Sequence, residues 1–179
     1  MKLYAIRHGE TMANSKGIYN GTLNEDINET GIKQAEETRQ LMKDKEYDII
    51  YCSPMIRAKH TCQIINEKDI PVIYDERLKE RSLGKLDGKE IDRKGKDKEL
   101  FYNYNYKSND ETFEDLPTLF KRVHSFLDEI IKKNKDKNIL IVAHGGISRA
   151  IYFYFNEIPE DGDLSVYVPK NCEINTYEI

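Results

Sequence analysis

Two histidines, each at the end of an apolar run and each followed by glycine, have the placement to act on one ligand. The first lies in Arg7-His8-Gly9-Glu10, directly after Leu3-Tyr4-Ala5-Ile6. The second lies in His144-Gly145-Gly146, directly after Ile139-Leu140-Ile141-Val142-Ala143. A short apolar run reads as a buried strand, and open α/β sheets bind their ligands at the carboxyl ends of strands. Neutral imidazole is a competent nucleophile toward phosphorus, and arginine is the side chain best matched to phosphate oxygens. Arg57 adds another cation. It falls in the first turn of a helix that Ser53-Pro54 is expected to open, with Ser as cap and Pro at the first helical position, and a helix N-terminus is itself an anion site. Arg7, Arg57 and His144 would then surround a dianion beside His8. The competing reading, two surface arginines and two core histidines, needs several strand-end coincidences at once.

The flanking elements must hold these residues in place. Asn28 reads as an N-cap with Glu29 in the first turn, and Ile32, Ala35, Leu41 and Met42 continue an apolar stripe to about Lys45. Tyr47 to Cys52 predicts a second strand. The Ser53-Pro54 helix runs on through Met55, Ala58, Cys62 and Ile65, and Pro71-Val72-Ile73-Tyr74 is a third, short strand. Leu119, Val123, Phe126, Leu127, Ile130 and Ile131 mark a long amphipathic helix from about Phe113 to Asn134. After the strand at Ile139 to Ala143 comes a helix from Gly146 to Phe155. Val166-Tyr167-Val168 and Glu173 to Glu178 read as late strands at the sheet edge. This alternation predicts a three-layer α/β/α sandwich with a mostly parallel central sheet, an antiparallel edge strand and a small cap insertion. The expectation is one domain over residues 1–179, with 89–112 as the cap. Lys89 to Glu111 is the least orderly stretch, with a helical turn expected near Leu100. Its Tyr102, Tyr104 and Tyr106 either border a pocket or cover the core, and the second reading is preferred.

Composition narrows the partners. The chain has 179 residues, 39% hydrophobic and 34% charged, which suits a globular protein with its own core. A net charge of −4 argues against general nucleic-acid or membrane-surface binding, which wants a basic face. No apolar stretch approaches a membrane span, and the start is too soon charged for a signal peptide. Three scattered cysteines, Cys52, Cys62 and Cys172, suggest reduced thiols in a cytoplasmic protein. The four histidines show no metal-ligand spacing, so no metal site and no cofactor is expected. His60 and His124 read as structural or exposed.

With these residues in view, the chain resembles the histidine phosphatase superfamily in its phosphoglycerate-mutase-like branch, over nearly its whole length. Arg7-His8-Gly9-Glu10-Thr11 resembles the family's Arg-His-Gly signature, and Asn14 its nearby Asn. Gly21 and Ile27 to Ala35 resemble the segment opening the first helix. Ser53-Pro54-Met55-Ile56-Arg57-Ala58 is similar to the Ser-Pro-x-x-Arg-Ala motif. Leu78-Lys79-Glu80, with Gly84 and Gly88, resembles the Leu-x-Glu segment carrying the proton donor. Glu111-Thr112 is similar to a Glu-Ser pair ahead of the long helix, and Ala143-His144-Gly145-Gly146 to the His-Gly motif. Each motif is short, but six of them in the family's order are specific.

The resemblance implies roles. His8 would attack phosphorus in line and become a phosphohistidine. Arg7, Arg57, Asn14 and His144, with Gly145 beside it, would hold the equatorial oxygens. Glu80, which by itself reads as a solvated charge between Lys79 and Arg81, would protonate the leaving oxygen and then deprotonate the attacking water. A partly dry site beside a dianion would keep a proton on it for that purpose. Gly21 and Thr22 would lie beside the leaving group. The arginines would supply the charge that a metal otherwise provides.

The family holds both mutases and phosphatases. Where mutases carry Arg-His-Tyr-Gly after the glutamate, this chain has Arg81-Ser82-Leu83-Gly84. It has no adjacent Arg-Arg pair between Lys89 and Glu111 for a second anionic group, and it is shorter than the mutases. A small cap leaves a phosphoenzyme open to water. The expectation is a metal-independent phosphomonoester hydrolase acting on a small phosphorylated metabolite. The alternatives are a cofactor-primed phosphoglycerate mutase, an α-ribazole phosphate phosphatase, or a phospho-ligand-binding protein without catalysis. The last is opposed by intact His8, Glu80 and His144. Lys85 stands where the α-ribazole branch usually carries an aromatic. Oligomeric state is open, since Tyr167 and the late strands suit a dimer edge or a capped one.

Overall fold

A computed structural model describes residues 1–92 and 95–179; positions 93 and 94 of the expected cap lie outside the described residues. Five strands form the sheet: β1 (Lys2–Arg7), β2 (Ile49–Cys52), β3 (Val72–Tyr74), β4 (Ile139–Ala143) and β5 (Ile174–Glu178). Their spatial order is β3-β2-β4-β1-β5. All pairs are parallel except β1 with β5, which is antiparallel, as the strand-helix alternation and the late strand predict. β2 and β4 are buried at every position. That explains why their sequences are continuous apolar runs rather than alternating ones.

The helices are α1 (Met12–Lys16), α2 (Glu29–Met42), α3 (Ile56–Ile65), α4 (Lys96–Tyr102), α5 (Leu116–Lys133) and α6 (Gly145–Phe155). One face of the sheet packs Leu3, Ala5, Ile139 and Ile141 against α5 and α6. The other packs Tyr4, Ile6, Leu140 and Val142 against α2 and α3. Alternate residues of each strand therefore serve opposite layers, as the period of two requires. The stripe of α5, Leu119, Phe120, Val123, Phe126, Leu127 and Ile130, is wholly buried. Truncating one member such as Phe126 to Ala costs roughly 3–5 kcal/mol. Asp115 caps α5 by accepting from Thr118 N–H, so the helix starts later than the apolar pattern suggests. A third, smaller apolar cluster of Tyr19, Leu83 and Leu100, joined by Ile91, Phe101, Tyr106 and Phe113, anchors the segment expected to be a cap. The expected turn near Leu100 is α4.

Two expectations are corrected. Val166-Tyr167-Val168 is no strand. Asp163 accepts from Ser165 N–H and winds Leu164–Val166 into a 3₁₀ turn, which leaves Val166 and Val168 exposed. Nor does Ser53-Pro54 open α3. Ser53 N–H still bonds Val142 O at 3.0 Å, the last rung of the sheet ladder, and the helix begins at Ile56 behind Met55. The short helix α1 carries no apolar period and is not expected from it. A capping box makes it: Thr11 Oγ1 accepts from Asn14 N–H while Asn14 Oδ1 accepts from Thr11 N–H.

Candidate active site

β1 and β4 are neighbours in register, Arg7 opposite Ala143, so the residues that follow them emerge side by side. His8 N–H bonds Ala143 O at 2.9 Å, and the His8 and His144 rings stand edge-on with centroids 5.2 Å apart. Both histidines are buried. Gly9 earns its place by packing rather than by ligand contact. A Cβ there would meet Gly31 O at 2.5 Å, because the turn after β1 lies against the first turn of α2. Asn28 fastens the same junction, capping Gly31 N–H and donating to Glu10 Oε1 at 2.9 Å.

The hydrogen bonds of His8 define its chemistry. Nδ1 lies 2.7 Å from Gly9 O, and Arg57 Nε donates to Nε2 at 3.2 Å. Arginine has no lone pair, so Nε2 must be the acceptor and Nδ1 must carry the proton. Burial, then Arg7 and Arg57, holds His8 well below the ordinary imidazole range, so it is neutral. The ring thus presents a bare Nε2 among cations.

Arg57 is fully buried near the start of α3, and it ties down the 20–23 loop, donating to Asn20 O, Gly21 O and Leu23 O. Asp87 holds the same loop from the other side, accepting from Gly21 N–H, Thr22 N–H and Thr22 Oγ1. The polar hydrogens of Gly21 and Thr22 therefore point at Asp87, and neither residue lines the central cavity. Arg7 donates from Nη1 to Pro169 O at 2.9 Å, while its Nε is buried without a partner among the described residues. Gly145 packs flat against that guanidinium: a Cβ would lie 3.5 Å from Arg7 Nε. Asn14 faces the cavity with Oδ1 already engaged by Thr11 N–H, which leaves its amide hydrogens for a ligand.

Glu80 reaches the same place from a loop. Its Oε2 accepts from Gly146 N–H and its Oε1 from Arg81 N–H, each at 3.0 Å. A Cβ at Gly146 would meet Oε1, so any larger residue there would push the Glu80 carboxylate from its place. Arg122 of α5 steadies the approach to Glu80, donating to Arg77 O and Lys79 O and pairing with Glu114 at 2.7 and 2.8 Å. Glu114, not Glu111, is the acid that does this; Glu111 is exposed.

Arg7, His8, Asn14, Glu80, Gly145 and Gly146 line a cavity of about 470 Å³, walled further by Ile18, Leu83, Phe101, Tyr102 and Val168, while Arg57 and His144 are buried against His8 behind that lining. Tyr102 borders it, whereas Tyr104 packs on Phe120 and Tyr106 on Phe113. Glu80 is the sole acid among its lining residues, against Arg7, Arg81, Lys98 and Arg149. None of the buried guanidiniums Arg7, Arg57, Arg81 and Arg149 has a carboxylate partner within ion-pair distance among the described residues. A cavity so charged favours a polyanion, although the chain as a whole is acidic. Among the described residues no group of three His, Cys, Asp or Glu side chains is arranged to hold a metal, and no helix is long and apolar enough to cross a membrane.

Sequence reasoning missed several supports. Arg149 is a lone charge on the otherwise apolar α6, a signal that was there to be read. Arg81 was hidden in a charged run. Asn171, which donates to His8 O at 2.8 Å, and Pro169, which takes Arg7, carry no local signal because they come from the chain's far end.

Comparison with known proteins agrees with this geometry. A family model described as histidine phosphatase superfamily (branch 1) matches residues 3–179. The chain is 37% identical over 155 residues to a protein named putative phosphoserine phosphatase 2 of Hydrogenobacter thermophilus, covering 84% of this chain and 76% of that one. It is 32% identical over 172 residues to the metal-independent phosphoserine phosphatase of Arabidopsis thaliana, covering 91% and 72%. The solved structure of Bacillus stearothermophilus YhfR superposes with a TM-score of 0.88 at 26% identity, covering 99% of this chain and 91% of that one.

Proposed function

The chain belongs to branch 1 of the histidine phosphatase superfamily and is a phosphatase of that family, and on that premise we propose that it hydrolyses small phosphomonoesters through a phosphohistidine on His8, without a metal. Residues 1–179 act as one domain, with 89–112 as the cap over the site. The observation that carries the reading is the bare Nε2 of a neutral, buried His8 facing Arg57, with Arg7 and His144 beside it.

Nε2 attacks phosphorus as the bond to the leaving oxygen breaks, and Glu80 delivers a proton to that oxygen. Arg57 gives up its bond to Nε2 and, with Arg7, Asn14 and His144, takes the charge building on the equatorial oxygens. Water then attacks the phosphohistidine while Glu80 takes its proton, which returns His8 and releases phosphate. Gly21 and Thr22 act behind this centre, through the loop that Arg57 and Asp87 hold, and Gly145 borders Arg7 at the cavity wall. Leu83, buried in the cavity wall without a hydroxyl, supports hydrolysis over mutase action.

The test is turnover of p-nitrophenyl phosphate in excess EDTA, with the base-stable, acid-labile label of a phosphohistidine trapped from a ³²P-labelled substrate. Turnover is expected to survive EDTA, and His8→Ala is expected to abolish both turnover and a base-stable, acid-labile label. A strict requirement for added metal, or undiminished activity in H8A, would overturn the reading. Bisphosphate-primed interconversion of phosphoglycerates faster than hydrolysis would replace phosphatase by mutase. Phosphoserine belongs in the substrate screen because two relatives bear its name.

A further inference from the structure

Ser53 sits in the Ser-Pro-x-x-Arg-Ala segment, yet its hydroxyl neither caps α3 nor enters the chemistry above. Its Oγ lies 2.7 Å from His144 Nε2 and accepts from Met55 N–H at 3.3 Å; both Ser53 and His144 are fully buried. A backbone N–H only donates, so Met55 uses a lone pair of Ser53 and leaves its hydroxyl proton free to be given away. Among the described residues His144 Nε2 is the acceptor in reach. The other ring nitrogen of His144, Nδ1, is buried with no partner.

A neutral imidazole has a single N–H to place. The charged and titratable groups around His144 are Arg7 and His8 from the end of β1, Arg57 from α3 and Arg122 from α5, and with burial they all act against its protonation. With the proton on Nε2, His144 would donate to Ser53, the Ser53 proton would have no acceptor, and Nδ1 would turn a lone pair on a phosphoryl oxygen. With the proton on Nδ1, one chain satisfies every group: Met55 N–H to Ser53, Ser53 O–H to His144 Nε2, and His144 Nδ1–H to the phosphoryl group beside His8. Leaving a buried donor or acceptor unmade costs about 1–3 kcal/mol, so the second arrangement wins once phosphate is present.

We propose that Ser53 is a positioning residue that fixes His144 as its Nδ1–H tautomer, so that a neutral imidazole donates to the transferring phosphoryl group. The proposal rests on the phosphatase reading and adds to it the protonation state and the donor atom.

Nitrogen-15 NMR of the full chain, free and with inorganic phosphate or vanadate, reads the tautomer directly, with His144→Asn used to assign the ring. The Nδ1–H form is expected in the presence of phosphate between about pH 5 and 8. In Ser53→Ala, kcat/KM for p-nitrophenyl phosphate is expected to fall roughly tenfold to a hundredfold, mostly in kcat, as for one lost hydrogen bond to a charged group. The remaining activity should lean toward acid pH, where a protonated His144 donates from Nδ1 without Ser53 having to select the tautomer. Ser53→Thr, which keeps the hydroxyl, should restore the wild-type profile. An Nε2–H tautomer in the phosphate-bound wild type would overturn the proposal, and so would an S53A enzyme with lowered rate but the wild-type pH profile, the mark of a merely structural hydroxyl. The wild-type spectrum decides the matter even if S53A does not fold. A wild type without turnover would defeat the phosphatase reading while the tautomer remained measurable.

Discussion

At His8 two hydrogen bonds do the work of a general base. Gly9 O accepts from Nδ1–H, and burial with the nearby cations keeps the ring neutral, so in the proposed reaction His8 needs no deprotonation before it attacks. On that reading the demand falls on the leaving group, which makes Glu80 the residue to question. Glu80→Gln should cut kcat/KM by about 10²–10⁴ for an alkyl phosphate, whose leaving oxygen needs a proton, and much less for p-nitrophenyl phosphate, whose leaving group does not. Equal losses on both substrates, measured side by side, would remove Glu80 from the acid role and leave it as a partner of Gly146. His8, Arg7, Arg57 and His144 were legible in the sequence because each sits at a strand end or an early helix turn beside glycine or proline. Thr22 was less so: its hydroxyl is claimed by Asp87, 65 positions away, a competition that local pattern does not reveal.

Among the elements, α4 shows how the proposed cap is held. Its last carbonyls are bonded by side chains of the layer beneath: Arg81 Nη2 donates to Leu100 O at 2.8 Å, and Arg149 Nη1 to Phe101 O at 3.1 Å. Each guanidinium also lies over an aromatic ring, Arg81 over Phe113 and Arg149 over Tyr102. Cations at a helix C-terminus meet the negative end of its dipole. Arg149→Met and Arg81→Met should each leave a buried carbonyl without its donor at about 1–3 kcal/mol. The loosened cap should be cut faster by proteases within 89–112 and raise KM more than it lowers kcat. Wild-type cleavage rates in both variants would show that the apolar cluster around Leu100 holds the cap unaided. Helix existence was legible from the apolar period of α2, α5 and α6. The starts of α3 and α5 were not, because sheet pairing of Ser53 and capping by Asp115 set them.

Over the whole molecule, the buried site carries a stability cost that depends on pH. His8 and His144 are both held well below the ordinary imidazole value, chiefly by burial. The unfolded chain takes up their protons below about pH 6.5 while the folded chain does not, so stability is full above that pH and falls as pH drops, by up to about 1.4 kcal/mol per unit for each histidine. Asp110 and Asp115, both pushed down to about 2 by hydrogen bonds and neighbouring lysines, add a loss of the same sign at lower pH. Urea midpoints should therefore decline from about pH 7.5 to 5, and saturating phosphate, which binds the folded form alone, should raise them. A flat profile over that range would mean that both histidines take up their protons in the folded state.

The sequence by itself determined the layered α/β architecture and placed the candidate residues His8, Arg7, Arg57 and His144 at strand ends and an early helix turn, because strand and helix periods and strand-end motifs are local. Tertiary structure decided which nitrogen of each histidine is free, which acid stands over Gly146, and that Arg81, Arg149, Ser53, Asp87 and Asn171 support the site. Those assignments depend on the competition of buried donors for a few acceptors, and that competition exists only once distant segments have packed together.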